Sequence, residues 1–264
     1  MTDDPVAQGH YAAKQLFSRS WLISWSHRRR FSTALEIARR VRAQRILDYG
    51  CGDGTFLALL MRGPDSPAAA VGAEITDHLV EDCRKRLGDI PHLGFELVSQ
   101  LDTPEHRGTY DLVTCMEVLE HVVETDVVLD RLTALLAPTG RLLISVPLET
   151  GLPLLVKQTV RRIAGWRGIG HYPGTSPYSW RELTAGLFAG ARPHVQRVIH
   201  RAEDGSTFHD HKGFNWMVLR QKLRSRLRIE WIGSSPVRWL PPQLASQVWF
   251  VCQRGKEGNG RREE

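Results

Sequence analysis

The sequence is poor in cysteine and has no long hydrophobic run. Its four cysteines are widely spaced and form no CxxC pair, which argues against a disulfide framework and against a thiolate zinc site. No window approaches the roughly 20 apolar residues of a membrane-spanning helix, and residues 1–10 are acidic and polar, unlike a secretion signal. We therefore expect a cytoplasmic protein in a reducing compartment.

Basic residues are also scarce in the first part of the chain. Residues 1–150 carry 16 Lys/Arg against 21 Asp/Glu, whereas residues 151–264 carry 19 against 8. An anionic partner, such as membrane headgroups, a phosphorylated substrate or nucleic acid, would therefore bind the second part. A solvated basic face without any partner is the simpler alternative.

Strand-like apolar runs alternate with helix-compatible stretches in the first 150 residues. With 264 residues, 42% of them hydrophobic, the chain is long enough for one sizeable core. The alternation predicts an α/β fold with a Rossmann-like, mostly parallel sheet, helices on both faces, and ligands at the carboxyl ends of the strands. The predicted strands are 45–49, 69–74, 95–98, 110–116 and 141–146, and the predicted helices are 55–61, 77–87 and 125–136, the last ended by Ala-Pro-Thr-Gly at 137–140.

The segments around this core differ from it in composition. Residues 151–170 are predicted to form a basic amphipathic helix, because their apolar residues recur at near-helical intervals. A helix at 214–227 is followed by strands at 228–233 and 248–253, which are expected to form an antiparallel edge pair. The predicted division is an N-terminal helical lid at 1–40, a Rossmann-like core at 41–150, a basic cap at 151–205, a C-terminal helix with edge strands at 206–254, and a disordered tail at 255–264.

A glycine-rich turn, LDYGCGDG at residues 47–54, follows the first predicted strand. Its Asp48 and three glycines form a D-x-G-x-G-x-G pattern, and glycines let the backbone turn tightly and approach a ligand closely. The third glycine comes one residue sooner than in the G-x-G-x-x-G dinucleotide motif. Glu74 ends the second strand, where a carboxylate can accept hydrogen bonds from both hydroxyls of a ribose. An ordinary tight turn is the alternative for the glycines taken alone.

Four motifs in order resemble the class I S-adenosylmethionine-dependent methyltransferases: LDYGCGDG, VGAE, YDLVTCMEVLEHV and GRLLISVP, within residues 45–148. The resemblance implies S-adenosylmethionine as the cofactor, with Asp48 orienting the turn and the methionine moiety and Glu74 binding the ribose. For the adenine it implies Gln100, with Asp102 as the second choice. The predicted cofactor set is Asp48, Gly50, Cys51, Gly52, Gly54, Glu74, Ile75, Gln100, Leu101, Met116 and Glu117, the last two near the reactive centre.

A cluster of possible metal ligands follows the fourth strand. Glu117, Glu120 and His121 are spaced i, i+3, i+4, which places two carboxylates and an imidazole on one face if a helix starts there. Two oxygens and one nitrogen suit Mg²⁺ or Mn²⁺ better than a thiophilic metal. A metal-free pocket, in which the histidine of the LEHV run caps or lines the site, is the alternative.

A downstream segment, TFHDHKGFNW at 207–216, extends this pattern. Together with the E-x-x-E-H run it resembles two O-methylating branches of the superfamily, the ubiquinone-pathway O-methyltransferases and the small-RNA 3′-terminal 2′-O-methyltransferases, and so implies a metal that organises substrate hydroxyls. The 88 residues between His121 and His209 exceed what either branch leads us to expect. Without a metal, His121 or His209 would be the base. The implied ligands are Glu117, Glu120, His121 and His209, with His211 as the alternative to His209, and the candidate catalytic residues are His121, His209 and Glu117.

The acceptor is predicted less directly than the cofactor. The ubiquinone-like branch carries a basic amphipathic insertion after the fifth strand that it uses against membranes, and residues 151–170 occupy that place. This implies peripheral membrane contact, although the helix could instead pack as a lid. We expect O-methylation of a small or amphiphilic acceptor, lipid-like or glycosylated. One alternative is an RNA 3′-terminal 2′-O-methyltransferase, although the sequence has no FEWTR-like run after the histidines to support it. The other is a non-catalytic scaffold that binds S-adenosylmethionine.

Overall fold

The structure is a computed structural model that describes residues 4–18, 20–166, 176–202 and 205–255, with the side chains of Leu22 and residues 161–166 outside the description. In chain order, the strands are β1 Arg45–Tyr49, β2 Ala69–Glu74, β3 Leu93–Leu97, β4 Tyr110–Met116, β5 Leu136–Pro147, β6 Ile199–Arg201, β7 Thr207–His209, β8 Leu227–Ser235 and β9 Gln247–Arg254. The helices are α1 His10–Gln15, α2 Trp21–Val41, α3 Thr55–Met61, α4 Asp77–Leu87, α5 Thr125–Leu135, α6 Gly151–Trp166, α7 Trp180–Leu187 and α8 Trp216–Arg224.

Seven strands form the main sheet in the order β3-β2-β1-β4-β5-β9-β8. The first five run parallel, and β9 and β8 add an antiparallel hairpin at one edge. The predicted Rossmann-like sheet, mostly parallel with an antiparallel edge pair, is therefore confirmed. Strands β6 and β7 form a separate hairpin, which was not predicted from the sequence.

Helices cover both faces of the sheet. Neighbouring residues of a strand point to opposite faces, so they pack against different helices. On β1, Leu47 packs into a core with residues of α5 and α8, whereas Ile46 packs into a second core with residues of α2, α3 and α4. Such double burial explains the nearly continuous apolar sequences of the central strands. Because β1, β2, β4 and β5 run parallel, their carboxyl ends meet at one edge of the sheet. The predicted cofactor residues lie at this edge.

Two predicted boundaries near the sheet were wrong. Helix α5 ends at Leu135 and β5 begins at the next residue, so the Ala-Pro-Thr-Gly stretch belongs to the strand. The pairing explains this: Tyr110 is opposite Leu136 but Leu112 is opposite Arg141, so residues 137–140 are accommodated as an irregularity in the register. Strand β3 spans Leu93–Leu97, and Val98 already begins a short 3-10 helix, Val98–Asp102.

The later segments agree with the predictions only in part. Helix α8 begins at Trp216, later than predicted, because the Asn215 side chain accepts a hydrogen bond from the Met217 amide and caps the helix. Helix α6 covers residues 151–166 of the predicted amphipathic helix, and residues 167–170 lie outside the described part, as do residues 256–264 of the predicted tail. Of the described helices, none combines the length and hydrophobicity that crossing a membrane requires.

Candidate functional site

The glycine turn leaves β1 at the carboxyl edge of the sheet. Gly50 and Gly52 lie in the left-handed region, with φ of 74° and 57°, and a Cβ on Gly50 would collide with the Val118 side chain. The Gly50 amide donates to the Ala73 carbonyl at 2.8 Å, which ties the turn to β2. The Cys51 thiol lies against Cys83, and this contact together with burial raises its pKa well above the usual range. Gly54 is the N-cap residue of α3.

Glu74 closes one side of this turn. Its Oε2 accepts a hydrogen bond from the Gly52 amide at 3.0 Å, and its Oε1 accepts one from the Ile75 amide at 2.7 Å. Each carboxylate oxygen retains a second lone pair, so Glu74 can still accept bonds from ribose hydroxyls. Ile75 exposes most of its side chain beside Glu74, where a flat apolar group could cover it. These residues fit a nucleoside ligand in the predicted orientation.

Asp48 lies beneath the turn, buried among apolar strand residues. The Thr114 hydroxyl donates a hydrogen bond to its Oδ1 at 2.6 Å. Burial raises the pKa of Asp48 to about 7. The hydrogen bond from Thr114 lowers this pKa in part, and the negative charge of Glu74 raises it further. A cationic group bound above it would favour the carboxylate form. Thr114 had no distinguishing mark in the sequence, where it reads as one more β-branched strand residue.

The residues predicted for the adenine side follow β3. The Gln100 side chain accepts a hydrogen bond from the Leu97 amide at 2.8 Å and so caps its own 3-10 helix, while Leu101 is buried in the core. Asp102 forms a two-pronged pair with Arg131 at 2.8 and 3.0 Å. Both side chains are thus engaged within the chain, and the choice of Gln100 before Asp102 for the adenine stays a prediction.

Helix α1 is fastened across the glycine turn. Asp53 Oδ2 accepts hydrogen bonds from the Tyr11 and Ala12 amides, both at 2.8 Å, and Oδ1 accepts from the Thr55 amide and hydroxyl. The Tyr11 ring lies 3.2 Å from where a Cβ on Gly52 would be. Burial and the charges of Glu74 and Asp53 raise the pKa of Tyr11. Asp53 therefore links the turn to the segment that covers it.

Met116 and Glu117 end β4 beside β5. Glu117 lies in the left-handed region (φ 57°), an uncommon conformation for a residue other than glycine. Its Oε1 accepts a hydrogen bond from the Ser145 hydroxyl at 3.1 Å, and its Oε2 lies 3.7 Å from Arg30 of α2. Arg30 also donates to Gln15 of α1 at 2.6 Å. The two N-terminal helices thus meet the end of β4 through Arg30, which was not predicted from the sequence.

The segment after Glu117 is a turn, so the helix that would have placed residues 117, 120 and 121 on one face does not form there. The left-handed conformation of Glu117 breaks any helix there, the His121 amide bonds the Val118 carbonyl at 2.8 Å, and α5 begins only at Thr125. Glu120 and His121 nevertheless come together with His211, and one ligand atom from each lies within 4.8 Å of the others. We call Glu120, His121 and His211 the acid–histidine cluster.

Two of the predicted ligands, His209 and Glu117, lie outside this cluster, whereas Glu120, His121 and the alternative His211 lie within it. The His209 ring directs Nδ1 to the Val198 carbonyl at 2.8 Å, and Glu117 is held by Ser145 and Arg30 as described above. His211, the alternative to His209, takes its place. The difference arises because β7 ends at His209 and the chain turns after it, so that His209 meets His121 through its backbone while the His211 ring packs against the His121 ring.

The orientation of His121 is fixed by the neighbouring hairpin. Its Nδ1 lies 2.9 Å from the His209 carbonyl oxygen, and because a carbonyl can only accept, Nδ1 carries the hydrogen. In the neutral form of the ring the lone pair is then on Nε2, which lies 3.9 Å from Glu120 Oε1. A carbonyl that fixes the tautomer in this way is typical of histidines that bind metals.

Glu120 is fully buried, and neither of its carboxylate oxygens accepts a hydrogen bond from another described residue. Burial, with a further contribution from Glu117, raises its pKa well above the usual range. A buried carboxyl group without such partners is unfavourable unless a proton or a cation meets it. The donor set of one carboxylate and two imidazoles suits Mn²⁺ better than the harder Mg²⁺, which prefers oxygen ligands.

A large cavity lies elsewhere in the described part of the chain. It has a volume of about 1160 Å³ and is lined by α2, the end of α3 and the residues before β1 and β2, among them Phe31, Leu35, Ile46 and Pro67. These residues lie at the amino ends of the strands. Parallel α/β sheets bind their ligands at the opposite edge, so we do not assign the cofactor to this cavity.

The family comparisons agree with this geometry. Residues 22–187 match the family described as "Methyltransferase domain". The ubiquinone biosynthesis O-methyltransferase of Xanthomonas euvesicatoria pv. vesicatoria is 30% identical over 147 residues, which cover 53% of this chain and 58% of that protein. An uncharacterized protein in a transposon of Streptomyces fradiae is 31% identical over 101 residues, 38% of this chain and 29% of that protein. The matches thus span less than two thirds of these curated relatives.

Solved structures share the fold at low sequence identity. A protein of Pyrococcus horikoshii OT3 has a TM-score of 0.59 at 13% identity, covering 93% of this chain and 97% of its own. The N-methyltransferase NodS of Bradyrhizobium japonicum, solved with S-adenosyl-L-homocysteine, has a TM-score of 0.54 at 14% identity and covers 97% and 94%. The methyltransferase domain of bacterial CtHen1 has a TM-score of 0.52 at 16% identity and covers 86% and 98%. With the family match across more than half of its length, the chain belongs to the methyltransferase domain family and has the class I S-adenosylmethionine-dependent fold.

Proposed function

We propose that this chain transfers the methyl group of S-adenosylmethionine to an oxygen atom of a small or amphiphilic acceptor, lipid-like or glycosylated, with Mg²⁺ or Mn²⁺ in the acid–histidine cluster. The observation that carries the proposal is Glu120, which is fully buried without a hydrogen-bond partner among the described residues and lies beside two imidazoles. A cation would compensate its charge. A metal at this place, next to the end of β4, would bring acceptor hydroxyls to the transferred methyl group.

Methyl transfer from a sulfonium is an in-line displacement on a carbon that the positive sulfur already activates. The protein therefore supplies mainly alignment and a nucleophile with an available lone pair. A bound divalent cation would lower the pKa of a hydroxyl beside it. In its absence His121, whose Nε2 has a lone pair and points towards Glu120, would take the hydroxyl proton.

Chelation tests the metal directly. We expect EDTA treatment to abolish transfer of labelled methyl to hydroxyl-bearing amphiphiles, and Mg²⁺ or Mn²⁺ to restore it. His211→Ala should lose Mn²⁺ binding in titrations followed by electron paramagnetic resonance, because it removes one of three ligand atoms in the cluster. His78→Ala, at an exposed position on α4, is the matched control and should bind Mn²⁺ like the wild type. Activity indifferent to EDTA, together with no Mn²⁺ binding, would remove the metal from the proposal.

Helix α6 supports an amphiphilic acceptor. Leu152, Leu155, Val156 and Val160 recur at helical spacing and are between 36% and 62% exposed, so the helix leaves an apolar stripe uncovered. The basic residues of the predicted amphipathic helix are Lys157, Arg161, Arg162 and Arg167. Of these, Lys157 donates to the Leu148 carbonyl and to Glu149, and the three arginine side chains lie outside the description. An apolar stripe of this kind suits contact with a lipid surface or with the acceptor's own chain.

Vesicle flotation tests the lipid surface. We expect the protein to float with vesicles that contain anionic lipid, and Val156→Asp with Val160→Asp to reduce the floated fraction severalfold, because a carboxylate is unfavourable in the apolar part of an interface. Val127→Asp on α5 changes an equally exposed valine outside the stripe and should have no effect. Equal loss in both variants, or no flotation of the wild type, would contradict membrane contact.

Two alternatives are distinguished by the choice of acceptor. The same acid–histidine cluster would suit an RNA 3′-terminal 2′-O-methyltransferase, since it could hold the two hydroxyls of a terminal ribose. Transfer to a short RNA, lost when its 3′ end is blocked, would favour that function. A non-catalytic scaffold would bind S-adenosylmethionine and transfer its methyl group to no acceptor in either class.

A further inference from the structure

Arg197 joins the two segments that carry the histidines of the acid–histidine cluster. Its Nη2 donates hydrogen bonds to the backbone oxygen of Glu120 and, at 2.8 Å, to that of Asp210. Glu120 directly precedes His121, and Asp210 directly precedes His211. A single nitrogen atom thus bridges two parts of the chain that are about 90 residues apart. The bridge lies one residue away from both imidazoles.

The surroundings of Arg197 keep its guanidinium in place. Its Cζ lies 5.4 Å from the centroid of the Phe214 ring, a distance at which the cation is attracted to the aromatic face. The Asp210 carboxylate accepts hydrogen bonds from the Ser176 and Lys212 amides at 2.6 and 3.0 Å, which fixes the loop that carries the bridged carbonyl. Contacts therefore hold both the guanidinium of Arg197 and the loop whose carbonyl it binds.

A second set of bonds holds the same junction but passes through His121 itself. The His209 amide donates to the His121 carbonyl at 2.9 Å, and His121 Nδ1 donates to the His209 carbonyl. These bonds orient the His121 ring. They do not fix the separation of His121 from His211, because His209 lies before the turn that leads to His211.

We propose that Arg197 is a positioning residue, which sets the spacing of His121 and His211 by holding the backbone oxygens of Glu120 and Asp210 on one guanidinium nitrogen, and thereby sets the affinity of the cluster for a divalent cation. The inference rests on the metal site proposed above. Arg197 supplies no ligand atom, since a guanidinium is always protonated. Lysine would replace it only in part, because its ammonium has donors for both carbonyls but ends a flexible stem that does not fix their spacing.

Mn²⁺ titration of the full chain tests this role without an acceptor. Arg197→Met keeps an unbranched apolar side chain but removes the guanidinium. We expect its Mn²⁺ affinity to fall about 10- to 100-fold, the range found when residues that orient metal ligands are removed. Its affinity for S-adenosylmethionine should be unchanged, because Arg197 has no described contact with the glycine turn or Glu74. Methylguanidinium should restore Mn²⁺ affinity to Arg197→Ala, which has room for it.

Two further variants make the outcome decisive. Arg201→Met removes an exposed arginine from β6 of the same hairpin and should leave Mn²⁺ affinity unchanged, which controls for the loss of one positive charge. Arg197→Lys keeps the charge and should show a smaller loss; it decides the question if Arg197→Met does not fold. The role of Arg197 would be overturned, and the metal site left intact, if both Arg197 variants bound Mn²⁺ with wild-type affinity while His211→Ala bound no Mn²⁺. Equal losses of Mn²⁺ and S-adenosylmethionine affinity would also overturn it, and absence of Mn²⁺ binding by the wild type would overturn both proposals.

Discussion

Replacing Gly52 with arginine is expected to abolish binding of S-adenosylmethionine. Gly52 has a φ of 57°, where a side chain costs about 1–2 kcal/mol in backbone strain, and a Cβ there already lies 3.2 Å from the Tyr11 ring. The arginine side chain would fill the space between Tyr11 and Glu74. Calorimetric titration of the purified variant should therefore detect no binding at cofactor concentrations that saturate the wild type.

The companion variant Glu74→Ala removes the carboxylate without filling the cleft. It should bind S-adenosylmethionine roughly 10- to 100-fold more weakly, since a hydrogen bond to a charged group contributes about 1.5–3 kcal/mol. Gly94→Ala is the matched control: Gly94 is exposed on β3, and a Cβ there meets no atom within 4 Å. Unchanged affinity in both Gly52→Arg and Glu74→Ala would refute the placement of the cofactor.

Replacing Glu120 with alanine is expected to reduce methyl transfer to the level of the EDTA-treated wild type. Glu120 provides the carboxylate of the acid–histidine cluster, and the two remaining imidazoles alone would hold Mg²⁺ weakly because that ion prefers oxygen ligands. Glu124→Ala is the matched control, because Glu124 is exposed at the N-cap of α5 and its side chain makes no capping hydrogen bond. Transfer of labelled methyl by this control should equal that of the wild type and should still respond to EDTA.

A second substitution of Glu120 separates function from stability. Glu120→Gln keeps the size of the side chain but can no longer offer a carboxylate to a cation. Because burial raises the pKa of Glu120 well above its usual range, the metal-free wild type is already largely uncharged at this position, and the metal-free variant should unfold at about the same temperature near neutral pH. Full transfer activity in Glu120→Ala, with the response to EDTA retained, would contradict the role of Glu120 as a ligand.

The sheet and the cofactor turn could be predicted because their sequences are locally determined. Strands buried on both faces have nearly continuous apolar runs, and the D-x-G-x-G-x-G turn needs glycines wherever the backbone is left-handed. Strand β5 was harder, since Ala-Pro-Thr-Gly normally ends a helix and only the pairing of Leu136 with Tyr110 shows that the strand has already begun. Local preference and strand pairing disagree there, and pairing decides.

The acceptor side could be predicted only as a set of residue types. The E-x-x-E-H spacing suggested a helical face, but the left-handed Glu117 makes the segment a turn. The choice between His209 and His211 depends on how the chain leaves β7, which no local pattern specifies. Arg30 and Arg197 each reach the end of β4 or the turn after it through a contact with a residue 77 or more positions away, so neither could be distinguished from the other arginines by sequence alone.

The attachment of α1 to Asp53 has a consequence for how long the cofactor stays bound. Asp53 belongs to the glycine turn and also holds the first amides of α1, so any ligand that orders the turn also protects α1 against local unfolding. A cofactor held against the turn beneath α1 would leave only when the N-terminal segment opens while the sheet stays folded. We then expect amide hydrogen exchange in residues 10–15 to slow when the cofactor binds, and the opening rate of that short segment would set an upper limit on turnover.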